Sequence, residues 1–189
     1  MKNGFEYSLQ YFKNMFMQEN AFEIKPSEKW RDDSWFKNQD EVNFINNEGF
    51  LIINEGQAEG TIIGGNLCTL NLLQGTEYMP QDENLILFLE DDDLVGKTFL
   101  KEFDRDLQSL LHCLKGKKIK GVLLGRAQKA SDMTNEKWIK LIKSKKELAD
   151  IPVVANLDFG HTTPIFTYPI GGKAKFTAKN GKANIFIKG

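Results

Sequence analysis

Apolar residues recur along this chain at two periods, and each change of period marks the end of an element. Phe5, Leu9, Phe12, Met15 and Phe16 fall at three- and four-residue steps, which predicts an amphipathic helix within residues 5–20. Pro26 ends that region. Residues 49–63, with Phe50–Ile53 and Thr61–Ile63 as apolar runs, read as a hairpin or two short strands. Cys68–Leu73 reads as a short apolar helix stopped at Gly75. Leu85–Leu89 is continuously apolar rather than alternating, as expected of a strand covered on both faces. Phe99, Leu100, Phe103, Leu107, Leu110, Leu111 and Leu114 then form one stripe of a helix closed by Gly116. A strand over 117–125, a helix over 134–148 and a strand from Ile151 follow.

Between residues 85 and 158 the order is strand, helix, strand, helix, strand, which predicts parallel pairing through helical crossovers. The end of the chain is different. Lys173–Lys179 and Lys182–Lys188 alternate about Asn180-Gly181, the strongest two-residue hairpin turn, and pairing across it sets Phe176 opposite Ile185. The expectation is an α/β domain with a mixed sheet, helical crossovers and a C-terminal β-hairpin.

Composition narrows the partners. A chain of 189 residues fits one domain, and 41% hydrophobic with 27% charged residues is ordinary for a globular protein. A net charge of −1 supplies no field for nucleic acid or an anionic membrane. Apolar runs fall far short of a ~20-residue membrane span. The first residues lack the features of a secretory signal. Cys68 and Cys113 are too few for a disulfide framework, so both read as reduced thiols in a cytoplasmic protein. Gly64-Gly65 lacks the Gly-Lys-Ser/Thr of a phosphate loop, so close backbone packing is its better account and no cofactor is implied. The Asp91–Asp93 run has no matched ligands elsewhere and reads as a solvated acidic helix start rather than a metal site. The lysines at 143–146 read as a solvated face.

Two strands end in chemistry. Leu85–Leu89 runs into Glu90, and the strand from Ile151 breaks at Gly160 and presents His161. In a parallel sheet both C-terminal ends lie on one edge, where ligand crevices of α/β sheets form, so contact between Glu90 and His161 is permitted. Together they could form two thirds of a Ser-His-Glu triad. His112 falls on the polar side of its helix and is excluded. No serine sits in a Gly-x-Ser-x-Gly elbow, and apolar neighbours should raise rather than lower the pKa of Cys68. The aromatics of residues 26–36, Trp30 and Trp35 among them, either pack onto the body or offer a ring to a ligand.

Gly64-Gly-Asn-Leu67, Ile86-Leu-Phe-Leu-Glu90-Asp91 and Asp158-Phe-Gly-His161-Thr162, in this order, resemble the C-terminal domain of LD-carboxypeptidases, a serine peptidase family. Ile63–Tyr78 and Pro26-Ser-Glu-Lys-Trp30 look closest to its microcin C immunity peptidase branch. The resemblance covers the chain from about residue 5. It implies a swivelling domain that supplies Glu90 as triad acid and His161 as general base, with the serine on an N-terminal domain that these residues do not include. On that reading residues 1–189 are a single C-terminal domain, with 1–25 as its leading helix and linker. It would be inactive alone and often homodimeric. The implied substrates are murein tetrapeptides or the amide joining a peptide or amino acid to a nucleotide-like group, with Trp30 or Trp35 stacking on the base. The alternative is a non-catalytic ligand-binding or interaction module that lacks the nucleophile.

Overall fold

The computed structural model describes residues 5–33, 42–114 and 118–189. Trp35 and Gly116 lie outside the described residues. Helix α1 (Phe5–Met17) leads into three short strands, β1 (Phe22–Ile24), β2 (Lys29–Trp30) and β3 (Ile45–Asn46). Strands β4 (Leu51–Asn54) and β5 (Gly56–Asn66) come next, followed by α2 (Leu67–Asn71), β6 (Asn84–Glu90), α3 (Phe99–Cys113) and β7 (Lys118–Gly125). The chain ends with α4 (Asn135–Lys143), β8 (Val153–Leu157) and the hairpin β9 (Lys173–Lys179) and β10 (Lys182–Lys188). Among the described residues no helix is long and apolar enough to cross a membrane.

Eight strands form one mixed sheet in the order β1-β10-β9-β5-β6-β7-β8-β4, while β2 and β3 pair separately. Strands β5, β6, β7 and β8 are parallel, as the crossover pattern requires. The terminal hairpin has the expected register, with Phe176 opposite Ile185 and Ala178 opposite Ala183.

Strand β6 shows why its sequence does not alternate. Leu85, Leu87 and Leu89 pack with Phe99, Phe103 and Trp138 beneath α3 and α4. Ile86 and Phe88 face the other way, onto Tyr11 of α1 and onto Phe159 and Phe166. Both faces are dry from Leu85 to Leu89, so every one of those positions is apolar.

One open reading is decided and two expectations are corrected. Residues 49–63 contribute to two separate strands rather than a hairpin: β4 pairs with β8 at one edge, while β5 lies between β9 and β6. Adjacent apolar runs suggest local pairing, but the chain parts at Glu55 to fill two distant places in the sheet. The Lys143–Lys146 run is not a uniformly solvated face. Lys145 is buried and ion-paired with Asp104 of α3, and Lys143 Nζ donates to Asn54 Oδ1 at 2.6 Å. Asp91 does not begin a helix either. It accepts from Asn66 Nδ2 at 2.7 Å and from the Cys68 amide at 3.2 Å, tying the end of β6 to the start of α2.

Gly64 lies within β5, where an added Cβ would meet the Phe88 carbonyl oxygen at 1.8 Å. Close backbone approach is therefore its role, as its sequence suggests.

Candidate active site

Glu90 is the last residue of β6, on the same face as Ile86 and Phe88 by strand alternation. Its carboxylate lies in a slot with glycine on two sides. A Cβ on Gly125, the last residue of β7, would fall 2.7 Å from Glu90 Cβ, and one on Gly160 would fall 2.5 Å from Glu90 Oε2. Gly160 also has φ +98°, a conformation that favours glycine and turns the chain after β8 so that His161 faces back toward β6.

The two sequence candidates meet there. His161 Nδ1 lies 2.6 Å from Glu90 Oε2. A carboxylate can only accept, so Nδ1–H donates, and the Nε2 lone pair is left free to take a proton. The Glu90 side chain is 8% exposed and that of His161 43%, an anchored acid holding an accessible base. The bond to Glu90 raises the His161 pKa above its usual value. Partial burial opposes this, and the charges of Glu90, Asp92 and Asp91 add to the rise. Among the described residues no serine or cysteine is hydrogen-bonded to the imidazole. The Cys68 thiol is exposed, and residual desolvation with nearby carboxylates holds its pKa up, so it lacks the electropositive setting of a nucleophile.

Behind the pair lies an aromatic floor. Phe88 stacks on Tyr168 at 4.8 Å and meets Phe159 at 5.6 Å. Burial, then the Glu90 charge, pushes the Tyr168 phenol well above its ordinary pKa.

A second cluster braces the turn that carries His161. Asp158, fully buried, accepts from the Ser27 amide at 2.7 Å and from Asn47 Nδ2 at 3.2 Å, and pairs with Arg126 Nη2 at 3.3 Å. Arg126 also donates to Asn47 Oδ1 at 2.7 Å and to the Asn156 carbonyl at 2.8 Å. Burial raises the Asp158 carboxyl against the pull of Arg126. Beyond His161, Arg31 and Thr163 exchange two backbone hydrogen bonds of 2.8 Å. The segment bearing Trp30 is thus fastened on both sides of the histidine. Trp30 lies in this second cluster, its ring 5.0 Å from Arg126 Cζ, and is half-buried. Sequence reasoning missed Arg126, Asn47 and the bracing role of Asp158, because nothing local links residues 27, 47, 126 and 158. The glycines that end β7 and precede His161 were the available signal for the Glu90 slot.

Comparison with known proteins adds a family. The sequence model described as LD-carboxypeptidase C-terminal domain matches residues 59–176. The putative carboxypeptidase YocD of Bacillus subtilis is 48% identical over 187 residues, which is 99% of this chain and 57% of that protein. The microcin C7 self-immunity protein MccF of Escherichia coli is 30% identical over 84% of this chain and 46% of its own length. The chain therefore spans about half the length of these relatives. A crystal structure of an MccF-like protein from Bacillus anthracis superposes with a TM-score of 0.96 at 49% identity, covering 100% of this chain and 57% of that one. MccF in complex with aspartyl sulfamoyl adenosine gives 0.76 at 26% identity, with the same coverage.

Proposed function

This chain belongs to the family of LD-carboxypeptidase C-terminal domains, and from that premise we propose that it supplies the acid and base of a Ser-Glu-His triad whose serine lies outside these 189 residues. The observation that carries the reading is the 2.6 Å contact between His161 Nδ1 and Glu90 Oε2, with the histidine side chain 43% exposed. In the assembled site His161 takes the serine proton through Nε2 as the hydroxyl attacks the amide carbonyl, then returns it to the leaving amine. Glu90 fixes the tautomer and stabilises the imidazolium.

The ligands of the relatives support a substrate class. Structures of MccF hold aspartyl sulfamoyl adenosine and glutamyl sulfamoyl guanosine. An amide between an acidic amino acid and a nucleotide-like group is accordingly the favoured substrate, with a murein tetrapeptide second. Trp30, fastened to the histidine turn and backed by Arg126, offers the ring on which a nucleobase stacks.

The test is hydrolysis of aspartyl sulfamoyl adenosine and of a murein tetrapeptide, by this chain alone and after it replaces the matching part of YocD. Cleavage only in the graft, abolished by His161→Ala, supports the split triad. Ligand binding without cleavage in a folded graft would favour a non-catalytic binding module instead.

A further inference from the structure

Helix α1 is apolar on two sides. Its inner side packs Tyr7, Tyr11 and Met15 against the sheet core. Its outer side carries Phe5, Leu9, Phe12 and Phe16 within about 60° of arc, exposed to between 45% and 67%, with the Phe12 and Phe16 rings 4.7 Å apart. A helix at a water boundary has one apolar stripe; two mark an element sandwiched between layers.

This outer stripe is continuous with the candidate site. Ser8 Oγ accepts from the Ile165 amide at 3.0 Å, which brings Ile165, itself 43% exposed, beside the stripe and four residues beyond His161. The α1 layer and Glu90 also share one face of the sheet, since Glu90 follows Ile86 and Phe88 in strand alternation and both pack in the core that contains Tyr11.

We infer that the outer face of α1, extended by Ile165, is the docking surface for the serine-bearing segment. The inference rests on the proposed triad, which needs a serine delivered to His161 from elsewhere. Size favours this occupant over a second copy of the chain. The five side chains offer about 400–500 Å², so a two-fold contact through them would bury roughly 900 Å², short of the ~1,200 Å² of a stable association between separate chains. The same area suits two domains of one polypeptide, where the interface is about 600–1,500 Å² and the tether raises the effective concentration. The relatives are long enough to hold such a segment, because this chain spans only 57% of YocD.

The test follows the reactivity of one thiol. In a Cys68→Ser, Cys113→Ser background, Phe12→Cys is labelled with a maleimide in the free chain and in the YocD graft. Labelling at least tenfold slower in the graft, with Leu72→Cys beside α2 unchanged, is the expected result. Equal rates in a folded graft would overturn the inference. So would protection already present in the free chain together with sedimentation as a dimer, since a second copy would then be the occupant. If the graft does not fold, the unmatched portion of YocD added in trans gives the same readout. His161→Ala separates the two proposals: absent protection in a graft that hydrolyses only with His161 intact refutes the docking surface alone, whereas retained protection with retained hydrolysis in His161→Ala refutes the triad alone.

Discussion

Gly160 and Glu90 compete for one space: a methyl group at residue 160 would lie 2.5 Å from Glu90 Oε2 and 2.7 Å from Glu90 Cγ. The His161–Glu90 contact therefore depends on a side chain that is missing. Gly160→Ala should displace the carboxylate and strain a backbone at φ +98°, costing about 1–3 kcal/mol. The informative readout is the His161 titration by NMR, with His112 as the second signal. Its pKa should fall back toward 6.5; an unchanged titration in a folded variant would show that the slot tolerates the methyl group.

Glu90→Gln tests the partner itself. The amide keeps the shape but not the charge, so His161 should titrate lower and its tautomer should no longer be fixed. In the grafted enzyme kcat should drop about 10³–10⁴-fold, the scale for loss of a triad acid. Retained hydrolysis would remove Glu90 from the mechanism.

The raised His161 pKa has a definite sign in pH. Proton binding is favoured in the folded state, so its stabilisation is fully present below the unfolded value near 6.5 and is lost as pH rises through the folded value. Hydrolysis runs the other way, because a general base must be neutral, and should rise through that same raised value. Thermal unfolding of wild type and Glu90→Gln at about pH 6 and pH 9 measures the first effect. The gap should shrink at the higher pH, and a gap that widened would contradict the assigned direction.

Asp158→Ala would strand Arg126 as a buried charge, a loss of about 3–5 kcal/mol. Adding Arg126→Met removes the orphan and should recover part of that loss, as denaturant unfolding would show. A double variant no more stable than the single one would mean that Arg126 is satisfied by Asn47 and the Asn156 carbonyl alone.

Trp30→Ala should weaken adenosine monophosphate binding to the graft by about 1–3 kcal/mol, the scale of one base stacking on one aromatic ring, and leave the His161 titration unchanged. Calorimetry decides it. Unaltered affinity would leave Trp30 with packing on Arg126 as its whole role.

The sequence was most legible where local pattern and tertiary environment coincide. Leu85–Leu89 is apolar at every position because both faces of β6 are covered, and Asn180-Gly181 sets the register of the last hairpin by turn geometry alone. The ends of β6 and β8 could be placed on one edge because parallel strands share their polarity, which permits contact between Glu90 and His161 without requiring it. Where partners lie far apart, the pattern was silent or misleading. Nothing near Leu51–Asn54 reveals that this strand pairs with residues 153–155 rather than with its neighbour. Lys145 looks like its lysine neighbours until α3 presents Asp104. The Asp158 cluster draws on four separate segments, so no window of sequence contains it.

The first and last strands of the sheet are partners, with Phe22 opposite Ile187 and Ile24 opposite Ile185. Gly189 lies against Met15 of the leading helix. The first and last strands thus close one edge of the sheet, across β9 and β5 from the strand that carries Glu90. A unit closed in this way can be moved between host polypeptides as a cassette without rethreading its sheet.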